Sequence, residues 1–490
     1  MTIGIKNQTQ LITYPDSLGG NLDALCRLLA GPLEGLFGGV HILPFFPSSG
    51  DRGFAPMTYR QVEPAFGGWD DVRRIAGQVE VVADLMVNHV SRHSPHFQDF
   101  LQHGRCSEYT DMFLTVDKVW PDGEPSPEDL ACIHLRKPDN PFSEVRIEDT
   151  GQIERVWTTF AWRGHWEQVD LDVHSPVAKA FLRDIIGFLA GQGVKILRLD
   201  AVGYVIKKPG TSCFFVEPDI YHFLDWIEGV ATEAGVVLLP EVHAHYRTQF
   251  RLAEHGSWIY DFVLPGLVLH ALYTGSSLKL RRHLQACPRR QVTTLDCHDG
   301  VPIQPDLNDV LDVGEAQALV ERVMARGANV TPLLYASETH DDFDAHQVNC
   351  TYYSALGEDD DAYLAARAIQ LFAPGIPQVY YVGLLAGEND YAAVEATGEG
   401  RAINRHDYSL AEVEAALQRP VVGRLLHLIR FRNEYPAFQG EFRVEPGAAD
   451  ALALAWRHGD AACTLRVDLA SATAELAYRD GEGREIRQSV

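Results

Sequence analysis

A (β/α)8 barrel is the fold this sequence predicts, and three observations carry it. Short apolar runs (QTQLITY, GVHILPFF, VEVVADLMV, VKILRLDAV, VVLLPEVH, WIYDFVL and QVTTLDC) succeed one another through the first three hundred residues, and an eighth, IPQVYYVG, follows residue 370. Amphipathic stretches such as SPVAKAFLRDIIGFLAGQG lie between them, with apolar residues recurring at helical spacing. Acidic residues close three of the segments: Asp200 in VKILRLDAVGY, Glu241 in VVLLPEVHAH and Asp299 in QVTTLDCHDG. Parallel strands covered on both faces read as near-continuous apolar runs, and a barrel delivers its functional side chains from their C-terminal ends.

Taken in chain order, the barrel is assigned residues 1–90, 169–299 and 362–437. Two connections are too long for ordinary loops. Residues 91–168 mix Pro, Gly, aromatic and charged residues without sustained helical periodicity, which predicts a small inserted domain after the third strand. Residues 300–361, rich in Asp and Asn, follow the seventh strand and predict a second lid that carries an acceptor loop. The acidic run GEDDDAY around Asp359 lacks the ordered spacing of a calcium-binding loop and reads as a solvated turn. Residues 438–490 change character: EFRVEP, ALALAWRHG, AACTLRVDL and AELAYRD alternate apolar with polar residues, which predicts a C-terminal antiparallel β domain.

Bulk properties narrow the function. At 490 residues the chain can hold a large core with appended modules. Its net charge of −25 argues against nucleic acid or an anionic membrane as a general partner, so an anionic substrate requires local cations. The N-terminus MTIGIKNQTQLITY lacks the basic-then-apolar pattern of a signal peptide, and no apolar run has the length of a membrane span; a cytoplasmic location is expected. Eight cysteines (Cys26, Cys106, Cys132, Cys213, Cys287, Cys297, Cys350 and Cys463) are scattered without a CxxC pair or metal-ligand spacing. They are expected to be reduced and mostly buried.

The three carboxylates each lie beside a guanidinium or an imidazole: Arg198, His243 and His298. Such a set suits a sugar bond, because an oxocarbenium-like transition state needs one ionised carboxylate to attack and one protonated carboxyl to release the leaving oxygen. Arg198 stands two residues before Asp200, on the same face of a strand, and would keep that carboxylate ionised. Glu241 has apolar neighbours in LLPEV, and burial there would favour the protonated form a general acid requires.

The segments DLMVNHVS, ILRLDAVGY, LLPEVHAH and TLDCHDG resemble, in order and approximate spacing, the α-amylase family of glycoside hydrolases and transglycosylases. That resemblance covers essentially the whole chain, and within the family TSCF after the Asp200 segment, the PQVYYVGLLAGEND run and GRAINRHDYS resemble the sucrose phosphorylase branch. This resemblance implies that Asp200 is the nucleophile, Glu241 the general acid/base and Asp299 the transition-state stabiliser. It implies a glucose subsite of Asp51, Phe54, His89, Phe160, Tyr204, His243, His298 and Arg401. Aromatic faces there pack on the sugar while His and Asp side chains bond its hydroxyls. The chemistry requires no metal, and no cofactor is expected.

Acceptor-side positions depart from the branch's common pattern. Ordinary sucrose enzymes tend to carry Leu-Asp-Leu-Tyr-Gln where this chain has Phe343, Asp344, Ala345, His346 and Gln347, of which Gln347 matches a shared position. In HLRKPDNPF, Arg136 precedes Lys137 where sucrose-specific relatives have a Pro-flanked Arg. An arginine and a histidine at these two places resemble relatives that cleave sucrose 6′-phosphate. Arg136 can grip two phosphate oxygens with its planar fork, and His346 can add a hydrogen bond or partial charge.

The expected reaction is a reversible, retaining phosphorolysis that turns sucrose 6′-phosphate and phosphate into α-glucose 1-phosphate and fructose 6-phosphate. A sugar or sugar phosphate and inorganic phosphate are the expected partners. Three alternatives stand beside it. A phosphorylase for sucrose or glucosylglycerol shares the catalytic residues and differs only on the acceptor side. An α-glucosidase or transglucosidase would release glucose without phosphate. A non-catalytic barrel scaffold would usually lack a carboxylate or carry a membrane helix.

Overall fold

The computed structural model describes residues 4–135, 141–161, 165–302, 309–329 and 347–490, and of Asp51 and Gln347 the backbone alone. Eight parallel strands form one sheet: β1 (Gln10–Thr13), β2 (Gly39–Ile42), β3 (Glu80–Met86), β4 (Val194–Asp200), β5 (Val237–Pro240), β6 (Ile259–Asp261), β7 (Gln291–Thr293) and β8 (Ile376–Tyr380). Their order is β6-β7-β8-β1-β2-β3-β4-β5, so consecutive strands are neighbours at every step but β5 to β6. That is the order of a nearly closed (β/α)8 barrel. Every residue of β1, β2, β5, β6, β7 and β8 is buried, which is why these strands read as continuous apolar runs.

Helices form where the sequence supplies both ends and one apolar stripe. Helix Pro176–Gly191 starts with Pro176 in its first turn and with the Ser175 side chain accepting from the Val177 N–H. It buries Ala178, Leu182, Ile185, Ile186 and Leu189 and leads into β4. Helix Asp219–Ala234 leads into β5 and stops at Gly235, whose φ of 77° is the left-handed conformation that glycine adopts without steric cost.

The chain divides into two compact units, one built mainly from Ile42–His243, the other from Lys6–His41 with most of the chain after His243. In the first, strands His89–Ser91 and Gln168–Asp170 pair antiparallel at the root of the segment inserted after β3. Within that segment the hairpin Phe142–Arg146/Ile153–Trp157 packs around a small core in which Trp120 and Trp157 stack 5.7 Å apart. In the second unit, a five-stranded antiparallel sheet occupies Glu441–Ser489 in sequential order. Its last strand, Glu485–Ser489, has too polar a sequence to have been expected.

Two expectations are corrected. The GEDDDAY run is a helix start rather than a solvated turn: Asp359 accepts from the Ala362 N–H at 2.9 Å, and Asp360 and Asp361 occupy the first turn of helix Asp360–Phe372. Negative charge is favoured there because the first turn carries unpaired N–H groups and the positive end of the helix dipole. Burial of the cysteines is uneven: Cys26, Cys213, Cys350 and Cys463 are buried, whereas Cys106 and Cys132 are exposed. Among the described residues no helix is long and apolar enough to cross a membrane.

Candidate active site

Asp84, Arg198 and Glu241 come from β3, β4 and the residue after β5. The register that pairs Asp84 with Arg198 and Met86 with Asp200 fixes which side chains share a face. Arg198 Nη1 donates to Asp84 Oδ1 and, at 3.1 Å, to Asp200 Oδ1, while its Nη2 lies 2.7 Å from Glu241 Oε1. With only 4% of its side chain exposed, this guanidinium needs such partners, because a buried charge left unpaired is strongly destabilising. One guanidinium thus ties three carboxyl groups together, with Asp200 at the end of its strand and Glu241 just beyond the end of its own. Glu241 therefore has more than the apolar neighbours its sequence showed: a cation and His243, whose Nε2 is 2.7 Å from the same Oε1.

Asp200 is the last residue of β4, and Ala201 turns the chain with a φ of 54°. A non-glycine residue in this left-handed region costs roughly 1–2 kcal/mol, so the surroundings must hold it there. The reversal leads into a tight turn, Val202–Tyr204, which sets the Tyr204 ring 5.6 Å from Phe160. Phe160 in turn meets His89 edge-on at 5.2 Å, and His89 Nε2 lies 3.0 Å from the Phe54 carbonyl. Phe54 presents its ring to Arg198 at 5.7 Å. Phe54, His89, Phe160 and Tyr204 are thus linked by neighbour contacts into one group that meets the carboxylate cluster through Arg198.

In the second unit, Asp299 departs from its expected place. Strand β7 ends at Thr293, and Asp299 lies six residues further on, beyond a turn in which Cys297 and Gly300 bond across the backbone. Asp296, nearer the strand, points into the core and meets Arg367 through both carboxylate oxygens at 2.8 Å, both side chains being fully or almost fully buried. Asp299 is 16% exposed and gathers basic side chains instead: Arg401 Nη1 at 3.0 Å, Arg405 Nη2 at 3.7 Å and the His298 ring through Nε2 at 3.5 Å. Arg405 also donates from Nε to the His298 carbonyl at 2.8 Å, so one side chain braces both residues.

The sequence reading did not single out Asp84, Tyr59 or Arg405. Asp84 had a signal, an acid inside the apolar run VVADLMV that cannot be buried without a partner. Tyr59 accepts from the Met86 N–H at 3.0 Å, and its burial first, then the nearby Asp200 and Asp84 charges, push its phenol well above the ordinary range. It stays neutral beside the carboxylates. Arg136 and His346 lie outside the described residues, as do the side chains of Asp51 and Gln347.

Elsewhere Asp261, His283 and Cys287 offer ligand atoms within 4.8 Å of one another. Asp261 Oδ1 already accepts from the Val263 and Leu264 N–H groups at 3.2 and 3.0 Å, and Oδ2 sits 2.8 Å from His283 Nε2. Burial pushes the Cys287 thiol far up. This set fits a helix start held by a buried Asp–His pair better than a metal site.

A barrel with carboxylates at and just beyond its strand ends is an arrangement that suits a carbohydrate-active enzyme. Residues 35–253 match the family model described as alpha amylase, catalytic domain, and the chain belongs to the α-amylase family, in its branch of glucoside phosphorylases. It is 54% identical to a sucrose 6(F)-phosphate phosphorylase of Thermoanaerobacterium thermosaccharolyticum over 490 residues, covering 100% of both chains. It is 47% identical to a glucosylglycerol phosphorylase of Marinobacter adhaerens, covering 99% of each. A crystal structure titled sucrose 6F-phosphate phosphorylase from Thermoanaerobacter thermosaccharolyticum superposes with a TM-score of 0.96, covering 100% of this chain and 99% of that one.

Proposed function

We propose that this protein catalyses the reversible phosphorolysis of sucrose 6′-phosphate to α-glucose 1-phosphate and fructose 6-phosphate, with retention at the anomeric carbon. The observation that carries the chemistry is the Arg198 bridge, which holds Asp200 and Glu241 at the ends of adjacent strands with a shared cation. In the first step an Asp200 oxygen attacks the anomeric carbon, and Glu241 gives its proton to the departing fructosyl oxygen, leaving a β-glucosyl ester on Asp200. In the second, phosphate attacks that carbon as Glu241 takes the phosphate proton, and two inversions restore the α configuration. By the family pattern Asp299 stabilises both oxocarbenium-like transition states, and Phe54, His89, Phe160, Tyr204, His243, His298, Arg401, Asp51 and Gln347 hold the sugar.

The choice of donor rests on Arg136 and His346 and on the 54% identity to the sucrose 6(F)-phosphate enzyme. The glucosylglycerol relative, at 47%, favours a second reading with identical catalytic residues and another acceptor. Glucose 1-phosphate release from sucrose 6′-phosphate, sucrose and glucosylglycerol, each with phosphate, separates the two. Strong preference for the phosphorylated donor, lost in Arg136→Ala and His346→Ala, is expected. Equal losses on sucrose and its phosphate would remove the clamp, and free glucose without glucose 1-phosphate would make the enzyme a hydrolase.

A further inference from the structure

Seven residues after Asp200, Lys207 keeps only 2% of its side chain exposed, and its partner Asp170 is fully buried at 2.8 Å. An ammonium has three donors and no acceptor. Here three oxygens converge on it: Asp170 Oδ2, Asn88 Oδ1 at 2.9 Å and the Tyr204 carbonyl. Asp170 is satisfied in turn, its Oδ1 accepting from the Thr159 N–H at 3.1 Å and its Oδ2 from the Thr159 hydroxyl at 2.5 Å. The contact with Asn88 has a chemical consequence.

Because the ammonium can only donate, Asn88 must turn its amide oxygen toward Lys207 and its NH2 group away. That NH2 nitrogen lies 3.4 Å from His89 Nδ1. An amide NH2 also only donates, so Nδ1 must offer its lone pair, which puts the ring proton of a neutral imidazole on Nε2. Nε2 faces the Phe54 carbonyl oxygen at 3.0 Å, an acceptor that suits this form. A single run of donors and acceptors therefore leads from Lys207 to Phe54.

We propose that Lys207 is a positioning residue that, through Asn88, sets His89 as a neutral imidazole protonated on Nε2 and fixes the ring the enzyme turns to its substrate. The catalytic consequence rests on the reading of His89 as a contact of the glucosyl group. The tautomer does not, so the two can fail separately.

The test uses the full-length protein and two variants. Lys207→Met keeps the apolar stem and removes the donors; Asn88→Asp keeps an oxygen toward Lys207 but replaces the NH2 group with an acceptor. The 15N resonances of the His89 ring, identified by their loss in His89→Gln, report the tautomer, and phosphorolysis reports kcat and KM separately. Wild type is expected to carry the proton on Nε2 alone. In Asn88→Asp, Nδ1 becomes protonated and kcat/KM falls by about 10- to 100-fold, the size expected for a misplaced contact group. Lys207→Met is expected to lose the single-tautomer signature and to fall in kcat/KM to a similar extent.

A wild-type ring protonated on Nδ1 would overturn the proposal. So would an unchanged Nε2–H signature in Asn88→Asp with kcat/KM within twofold of wild type. If Lys207→Met does not fold, Asn88→Asp decides. If wild type shows no phosphorolysis of any donor, the proposed function fails while the nitrogen resonances still decide the tautomer.

Discussion

Arg198, 4% exposed, reaches Asp84, Asp200 and Glu241 from inside a strand, whereas Asp299 is held in a loop by Arg401, 30% exposed, and by Arg405, about a hundred residues downstream. In the first region strand register does the positioning, and charge pairing is the condition for burying it. In the second, the backbone turn between Cys297 and Gly300 aims the carboxylate, and cations arriving from GRAINRH complete its surroundings. A strand-borne site should tie activity to stability, and a loop-borne site should let activity change while the fold stays intact.

The largest effect tests the chemistry shared by any retaining mechanism. Asp200→Asn removes the nucleophile and should lower kcat by about 10,000-fold or more, roughly 5 kcal/mol in barrier, since a nucleophile loss is not compensated by its neighbours. Rates measured with phosphate saturating would show this; a variant within tenfold of wild type would remove Asp200 from its role. Next, Asp84→Asn leaves Arg198 with one buried partner fewer and should cost about 3–5 kcal/mol of folding stability by chemical denaturation, with activity reduced as well. The smallest effect belongs to the loop. Arg401→Ala should lower kcat by about tenfold, about 1.4 kcal/mol, with an unchanged melting temperature, because a part-exposed ion pair adds little to stability. If Arg401→Ala destabilised the fold as much as Asp84→Asn, the contrast between the two regions would not hold.

The same contrast explains what could be read from sequence. Runs such as VKILRLD and VVLLP announce their strands because both faces are covered, and a polar residue ending such a run stands out. Asp200 and Glu241 were legible for that reason. The place of Asp299 was not, since QVTTLD continues the apolar pattern past the true strand end, and the partner that draws Asp296 inward, Arg367, sits in a helix about seventy residues away. Asp359 shows the same limit on a smaller scale. An acidic cluster fits both an exposed turn and a helix start, and only the Ala362 N–H it accepts from tells them apart. Lys207 carried no sequence signal, because a lysine in VIKKPG looks like any surface cation until Asp170, Asn88 and Tyr204 are brought round it.

The most direct test of the central claim is to trap the glucosyl ester. Glu241→Gln, incubated with α-glucosyl fluoride, whose fluoride leaves without a general acid, should accumulate a hexosyl adduct that peptide mass spectrometry locates on Asp200, and added phosphate should convert it slowly to glucose 1-phosphate. An adduct on another carboxylate, or none at all while the wild type consumes the same fluoride, would contradict the assignment of Asp200 and Glu241 and with it the double displacement proposed for this barrel.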